Sequence, residues 1–277
     1  MKKILIVFLF VCIGVNLSAQ TLHTLIFINK SEQGRESDRT VDFNKMTTFI
    51  NDVARRIGYS NDLRTHTGGE FTVSKVLSEI RSLNVGSNDV VIFYYHGHGT
   101  NTSDNRTNTQ WPAMHITPNG NDLSPATFLE HSKVKEELEN VCGQAKLVLC
   151  IADCCNRFAF KPNPPAVMGA RDRDNIKKLF TGFSGQKFIM ISASKPGQYG
   201  YSANTGSIFG DYFRSAINYY SESSSNPTWE EVLSRAQLQT KDHNARSGDV
   251  SEPQFTIYNR TQSSPKIIPA DVKGDLY

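Results

Sequence analysis

Cysteine is scarce: five residues in a chain of 277, too few for a fold built on disulfides. Beyond residue 15 no apolar run is long enough to span a bilayer. Basic residues do not cluster. Lys and Arg are spread along the chain and leave a formal net charge of +3, which gives no reason to expect a nucleic-acid partner. Charge is not in excess either. With 21% charged and 38% hydrophobic residues, the chain falls outside the disordered and collagen-like classes. There is no internal repeat and no clear domain boundary. The chain is long enough for one large core or two small ones.

The first residues read as an export signal. Lys2 and Lys3 precede an apolar stretch from Ile4 to Val15, and Asn16-Leu17-Ser18-Ala19-Gln20 supplies a small-residue exit. The apolar core is about a dozen residues, too short to cross a membrane comfortably. Two other readings are a buried first strand and lipid attachment at Cys12, the latter opposed by the bulky Phe10 and Val11 before it. The expectation is cleavage after Ala19 and an exported, soluble protein, periplasmic or extracellular. The organisation expected is a signal over 1–19, one folded domain over 20–260 and an irregular tail over 261–277.

Cys12 leaves with the signal, so Cys142, Cys150, Cys154 and Cys155 remain. All four lie within 14 residues, and two are adjacent. Stapling distant loops needs a wider spread. One reactive thiol beside buried, small apolar cysteines fits this crowding better.

Apolar runs predict strands over Leu22–Asn29, Asp89–Tyr95, Lys146–Ala152 and Lys187–Ala193, with weaker ones over Leu63–Thr67 and Gln254–Tyr258. Helical spacing predicts helices over Asp38–Ile57, Thr72–Leu83, Glu130–Val141, Ser207–Tyr220 and Thr228–Gln239. Residues 99–127 and 162–185 read as long polar loops. Strands that are solid apolar runs, alternating with helices, predict an α/β fold with a mostly parallel sheet covered by helices on both faces. Such sheets place ligands beyond the carboxyl ends of their strands.

Two strong strands end in chemistry. One runs into His96-Gly97-His98-Gly99, the other into Asp153-Cys154-Cys155-Asn156. A Cys and a His brought to one sheet edge can act as nucleophile and proton carrier. The glycines let the backbone approach a substrate and aim amide N–H groups at an oxyanion. Two other readings compete. His96, His98, Cys154 and Cys155 could bind zinc, although adjacent cysteines chelate poorly. Alternatively, all four are structural, in an inactive binding domain.

Asp89-Val-Val-Ile-Phe-Tyr-Tyr-His-Gly-His-Gly99 resembles the strand-and-histidine motif of caspase-like and metacaspase peptidases. Ala152-Asp-Cys-Cys-Asn156 is similar to their Asp-x-Cys nucleophile motif, and Ser251-Glu-Pro-Gln-Phe255 to the Pro-Gln closing strand of metacaspases. The resemblance runs from the Leu22 strand to about Tyr258. It implies a caspase-like fold and a cysteine endopeptidase with His98 as the catalytic histidine, Cys155 as the nucleophile, and the amides of Gly99 and Cys155 as the oxyanion hole. His96 is a rival to His98, and Cys154 to Cys155. Neighbouring residues on an extended chain face opposite ways, so one thiol of the pair should face the cleft.

The same resemblance implies a pocket for a basic substrate side chain, with Asp153 as its acid, Asp42 as a looser second, and His96 where the family usually has Ser. Cleavage after Arg or Lys is the expectation. Ser194-Lys-Pro-Gly-Gln198 carries no acid where metacaspases have one, and their acidic calcium cluster is not evident, so no metal or other cofactor is expected. Arg171, Arg173, Lys177 and Lys178 follow the nucleophile in a proline-flanked linker and mark a site for self-cleavage. The partner expected is a peptide or protein substrate. An inactive caspase-like domain that binds peptides or partners is the alternative.

Overall fold

The computed structural model describes residues 20–30, 34–101, 110–118, 122, 124–156, 174–203 and 205–260. The expected signal over 1–19, the tail from 261, Arg171 and Arg173 lie outside the described residues.

The central sheet is built from β1 (Thr21–Ile28), β2 (Ser60–His66), β3 (Val90–His96), β7 (Leu147–Asp153), β8 (Gln186–Ser192) and β11 (Gln254–Arg260), in the order β11-β8-β7-β3-β1-β2. All neighbours are parallel except β11, which runs antiparallel along β8. Every residue of β3 and β7 is buried, as continuous apolar strands in a sheet covered on both sides must be. β2, Ser-Asn-Asp-Leu-Arg-Thr-His, is largely exposed because it is an edge. Shorter strands lie outside this sheet: β4 (Gly99–Thr100), β5 (Ala113–His115) and β6 (Phe128–Glu130) form one antiparallel unit, and β9 (Ser202–Ala203) pairs with β10 (Gly206–Ser207).

The period of two along the strands sorts the core. Val90, Ile92 and Tyr94 of β3 and Leu147, Leu149 and Ile151 of β7 pack with α1 (Glu36–Ile57), α4 (Ile176–Thr181), α5 (Ile208–Ser223) and α6 (Trp229–Arg246). Val91, Phe93 and Tyr95 with Val148, Cys150 and Ala152 face α2 (Val73–Arg81) and α3 (His131–Cys142). In α1 the buried residues Met46, Phe49, Ile50, Val53, Ala54 and Ile57 follow helical spacing. The helix stops at Gly58, whose φ of 76° suits glycine and whose N–H returns to the Ala54 carbonyl. Thr228 and Glu231 form a reciprocal capping box at the start of α6.

Three expectations need correction. The stretch 99–127 is not all loop: β4 and β5 are two and three residues long, too short for any periodic signal. The polar connection 162–185 contains α4, whose buried Ile176, Leu179 and Phe180 dock on the core. Lys177 and Lys178 are therefore helical rather than part of an open linker. Finally, α6 extends seven residues past Gln239 through a polar segment that buries Thr240 and Asn244.

Candidate active site

β3 and β7 are adjacent and in step, with His96 opposite Asp153. Both strands end there, so His98 and Cys155 each lie two residues beyond the same level of the sheet. The joint between the strand ends is tight. Gly97 N–H donates to the Asp153 carbonyl at 3.3 Å. A Cβ on Gly99 would sit 2.5 Å from the Cys154 sulfur and overlap the Cys155 carbonyl oxygen. A Cβ on Gly200 would lie 2.7 Å from the Cys154 carbonyl oxygen. The two cysteines are thus held between glycine backbones on either side.

Three of the four described cysteines, Cys142, Cys150 and Cys154, are buried; Cys155 is half-buried, and all four are free thiols. His98 is exposed. Cys154 turns into the α2/α3 side of the core, as alternation requires, leaving Cys155 toward the open edge. The Cys155 thiol donates to the Gly200 carbonyl at 3.5 Å. Burial pushes this thiol up, and the positive charges of Arg39 and Arg35 at the start of α1 act against that. These arginines were not singled out in the sequence; only helix packing brings them near.

Buried Asn156 anchors the surrounding loops. It accepts from Asn101 Nδ2 at 3.0 Å, donates through Nδ2 to the carbonyls of Gln110 and Ser194, and exchanges backbone bonds with Gln198 and Gly197. The acid-free stretch Ser194–Gln198 therefore works as a clasp on the Cys155 loop. The Pro-Gln motif joins the same assembly: Gln254 donates to the Gln110 carbonyl at 2.6 Å, and Glu252 N–H to Gln198 Oε1 at 2.8 Å.

The residues expected to line the pocket converge on the other face of the sheet edge. Tyr94, His96 and Asp153 share one parity, and α1 brings Asp42 to them. Tyr94 Oη lies 2.7 Å from Asp42 Oδ2 and 2.9 Å from Asp153 Oδ2. His96 Nδ1 lies 2.8 Å from Asp42 Oδ2, and its Nε2 3.1 Å from the Ser202 hydroxyl. Asp42 is fully buried. It also has an internal partner that sequence reading missed, Arg214 of α5, with both terminal nitrogens 3.3 Å from Asp42 Oδ1. Burial opposes ionisation of Asp42, but His96 and Arg214 outweigh it and hold the carboxyl well below the usual range. Burial pushes Asp153 up and the charge of Asp42 adds to the push, while His96 and the hydrogen bonds with Ser207 and Tyr94 act against them and leave it raised.

A zinc site would need His96 to turn to the thiols, whereas both its ring nitrogens are taken by Asp42 and Ser202. Among the described residues no group of three His, Cys, Asp or Glu side chains is arranged to hold a metal. Their helices include none long and apolar enough to cross a membrane.

A second thiol–imidazole contact lies deeper: Cys150 Sγ to His131 Nε2, 3.1 Å. Both residues are fully buried on the α2/α3 side, with Trp111 edge-on to the His131 ring at 5.6 Å. Burial pushes the Cys150 thiol well up and the His131 imidazole down to about 3. The neutral forms are favoured at both, and no peptide can reach them without opening the core.

The family model of the caspase domain matches residues 25–263. No curated protein matches the chain.

Proposed function

The chain belongs to the caspase-domain family of cysteine peptidases, and from that membership we propose an endopeptidase in which Cys155 attacks the peptide carbonyl and His98 carries the proton. The observation that carries the reading is the in-step ending of β3 and β7, which sends an exposed His98 and a half-buried Cys155 out of the same edge. The Cys155 thiol passes its proton to His98 as the sulfur–carbon bond forms. His98 then protonates the leaving amine as the carbon–nitrogen bond breaks, and water releases the acyl group. The amides of Gly99 and Cys155 are assigned to the oxyanion; losing one such donor costs ~3 kcal/mol in acyl transfer.

Asp153 and Asp42 support a basic P1 side chain. Asp153 carries most of that role, because Arg214 already neutralises Asp42. The segment 1–19 is assigned to export. Lys177 and Lys178 are held in α4, so self-cleavage is assigned to Arg171 or Arg173.

A second reading makes Cys150 and His131 the dyad, on their 3.1 Å contact; their complete burial opposes it. The test is an assay of the chain from Gln20 on peptides ending in Arg, Lys, Asp or an apolar residue before a fluorescent group. Turnover after Arg or Lys that is lost in Cys155→Ala and kept in Cys150→Ala is the expected result. Turnover after another residue retains the dyad and removes the pocket assignment. Loss in Cys150→Ala alone, with that variant folded, replaces the dyad. No cleavage by any form makes the domain a peptide-binding module.

A further inference from the structure

Tyr94 presents one hydroxyl to two carboxyl groups, at 2.7 Å from Asp42 and 2.9 Å from Asp153. A phenol has one proton to donate. Asp42 is the natural acceptor of it. Its Oδ2 also faces His96 Nδ1 and its Oδ1 faces Arg214, so it is surrounded by donors. The Asp153 oxygen then meets the lone pairs of the phenol. At 2.9 Å that approach is a hydrogen bond only if Asp153 brings the proton.

We infer that Asp153 is a carboxylic acid in the protein without substrate, donating to Tyr94, and that a cationic P1 side chain is taken up with release of that proton. The inference rests on the basic-P1 reading above. The balance is simple: the Asp153 O–H bond breaks, the proton leaves to solvent, and the carboxylate pairs with the incoming guanidinium or ammonium. Tyr94, to which the strand-and-histidine motif gives no role, becomes the specificity-determining residue that joins the two acids.

Three elements supply the groups that face Asp153. β3 contributes Tyr94 and His96, α1 contributes Asp42, and α5 contributes the Ser207 hydroxyl at its start and Arg214. Gly210 keeps Arg214 and Asp153 close: a Cβ there would be 3.2 Å from Arg214 Nη1 and 3.2 Å from Asp153 Oδ2. Asp211 is occupied elsewhere, by Lys45 at 2.7 Å and Arg214 at 2.6 Å. Asp42, Asp153 and Asp211 thus share two fixed cations, Lys45 and Arg214, and the His96 imidazole against Asp42. A neutral carboxylic acid kept for hydrogen bonding is what an enclosed site with a neighbouring carboxylate favours.

The test compares peptides with arginine or its neutral isostere citrulline before the scissile bond. The ratio of their kcat/KM values is followed from about pH 5 to about pH 8. The ratio should rise by up to about tenfold per pH unit and then level off. It should be low and flat in Asp153→Asn, whose amide can donate to Tyr94 as the acid does and should keep the fold. A constant preference for arginine across this range overturns the inference, because Asp153 would then be ionised at rest. Equal cleavage of both peptides at every pH removes the basic-P1 reading itself. An infrared carbonyl band of a protonated carboxylic acid, present in the resting protein and absent from Asp153→Asn, is expected independently of turnover. Its absence overturns the inference whatever the kinetics.

Discussion

Acid should destabilise this protein through the buried ring of His131. The ring is fully buried, its Nδ1 has no hydrogen-bond partner, and its Nε2 faces the Cys150 sulfur at 3.1 Å. Nothing anionic compensates a charge there, and burial holds the imidazole down at about 3. The unfolded chain has an ordinary imidazole near ~6.5. Between those values the unfolded state binds more protons than the folded one, so stability falls as pH drops. The contribution is complete above ~6.5, and each pH unit below removes ~1.4 kcal/mol. Moving from about pH 8 to about pH 5 should therefore cost roughly 2 kcal/mol through this one ring, a large share of a typical 5–15 kcal/mol.

Urea unfolding of the wild type and of His131→Leu at both pH values isolates the effect, because every other titrating group is common to the two proteins. The variant should lose about 2 kcal/mol less on acidification. Equal losses would refute the reasoning. The same variant should keep its peptidase turnover, since an imidazole that stays neutral to about 3, beside a thiol pushed well up, cannot supply a thiolate–imidazolium pair.

Two further substitutions probe the joint and the acid cluster. Gly99→Ala places a methyl 2.5 Å from the Cys154 sulfur and against the Cys155 carbonyl; overpacking of this kind costs about 1–3 kcal/mol. Thermal unfolding should show that loss, and Cys155 alkylation by a peptide chloromethyl ketone should slow in the fraction that stays folded. Arg214→Met leaves the carboxylate of Asp42 buried without its fixed cation, and breaking a buried pair from one side costs about 3–5 kcal/mol. Adding Asp42→Asn should restore part of it, which a double-mutant cycle in urea would read as a coupling between the two sites.

The fold was legible where the chain repeats a strong local signal. Runs such as Val90–Tyr95 and Lys146–Ala152 are solid with apolar side chains, because helices cover both faces, and that continuity separates a buried parallel strand from a half-exposed one. The strand-end motifs were legible for the same reason, since a strand's end marks an edge whatever lies across it. Arg214, Tyr94 and Arg39 were not. Arg214 is 172 residues from Asp42, and in the sequence it is one basic residue in a helix of mixed polarity. Tyr94 reads as one more bulky core residue until its hydroxyl is seen between two carboxyls. The short strands Gly99–Thr100 and Ala113–His115 exist by pairing with each other and leave no periodic trace.

Alternation along two neighbouring strands explains why three thiol, imidazole and carboxyl groupings coexist without interfering. On β3 and β7, Tyr94, His96 and Asp153 share the parity that faces α1 and α5, whereas Cys150 has the opposite parity and meets His131 of α3. Cys154 continues the Cys150 parity past the strand end and is buried with it; Cys155, the next residue, is not. A register slip of one residue in β7 would exchange these sets, placing Asp153 among Phe93 and Tyr95 and Cys150 against the α1 side. Burying Asp153 without Tyr94 and His96 would cost several kcal/mol, so the carboxyl cluster helps to hold the register that presents Cys155. The adjacent cysteines therefore do not compete: the acid one residue before them fixes which thiol is core and which stands at the edge.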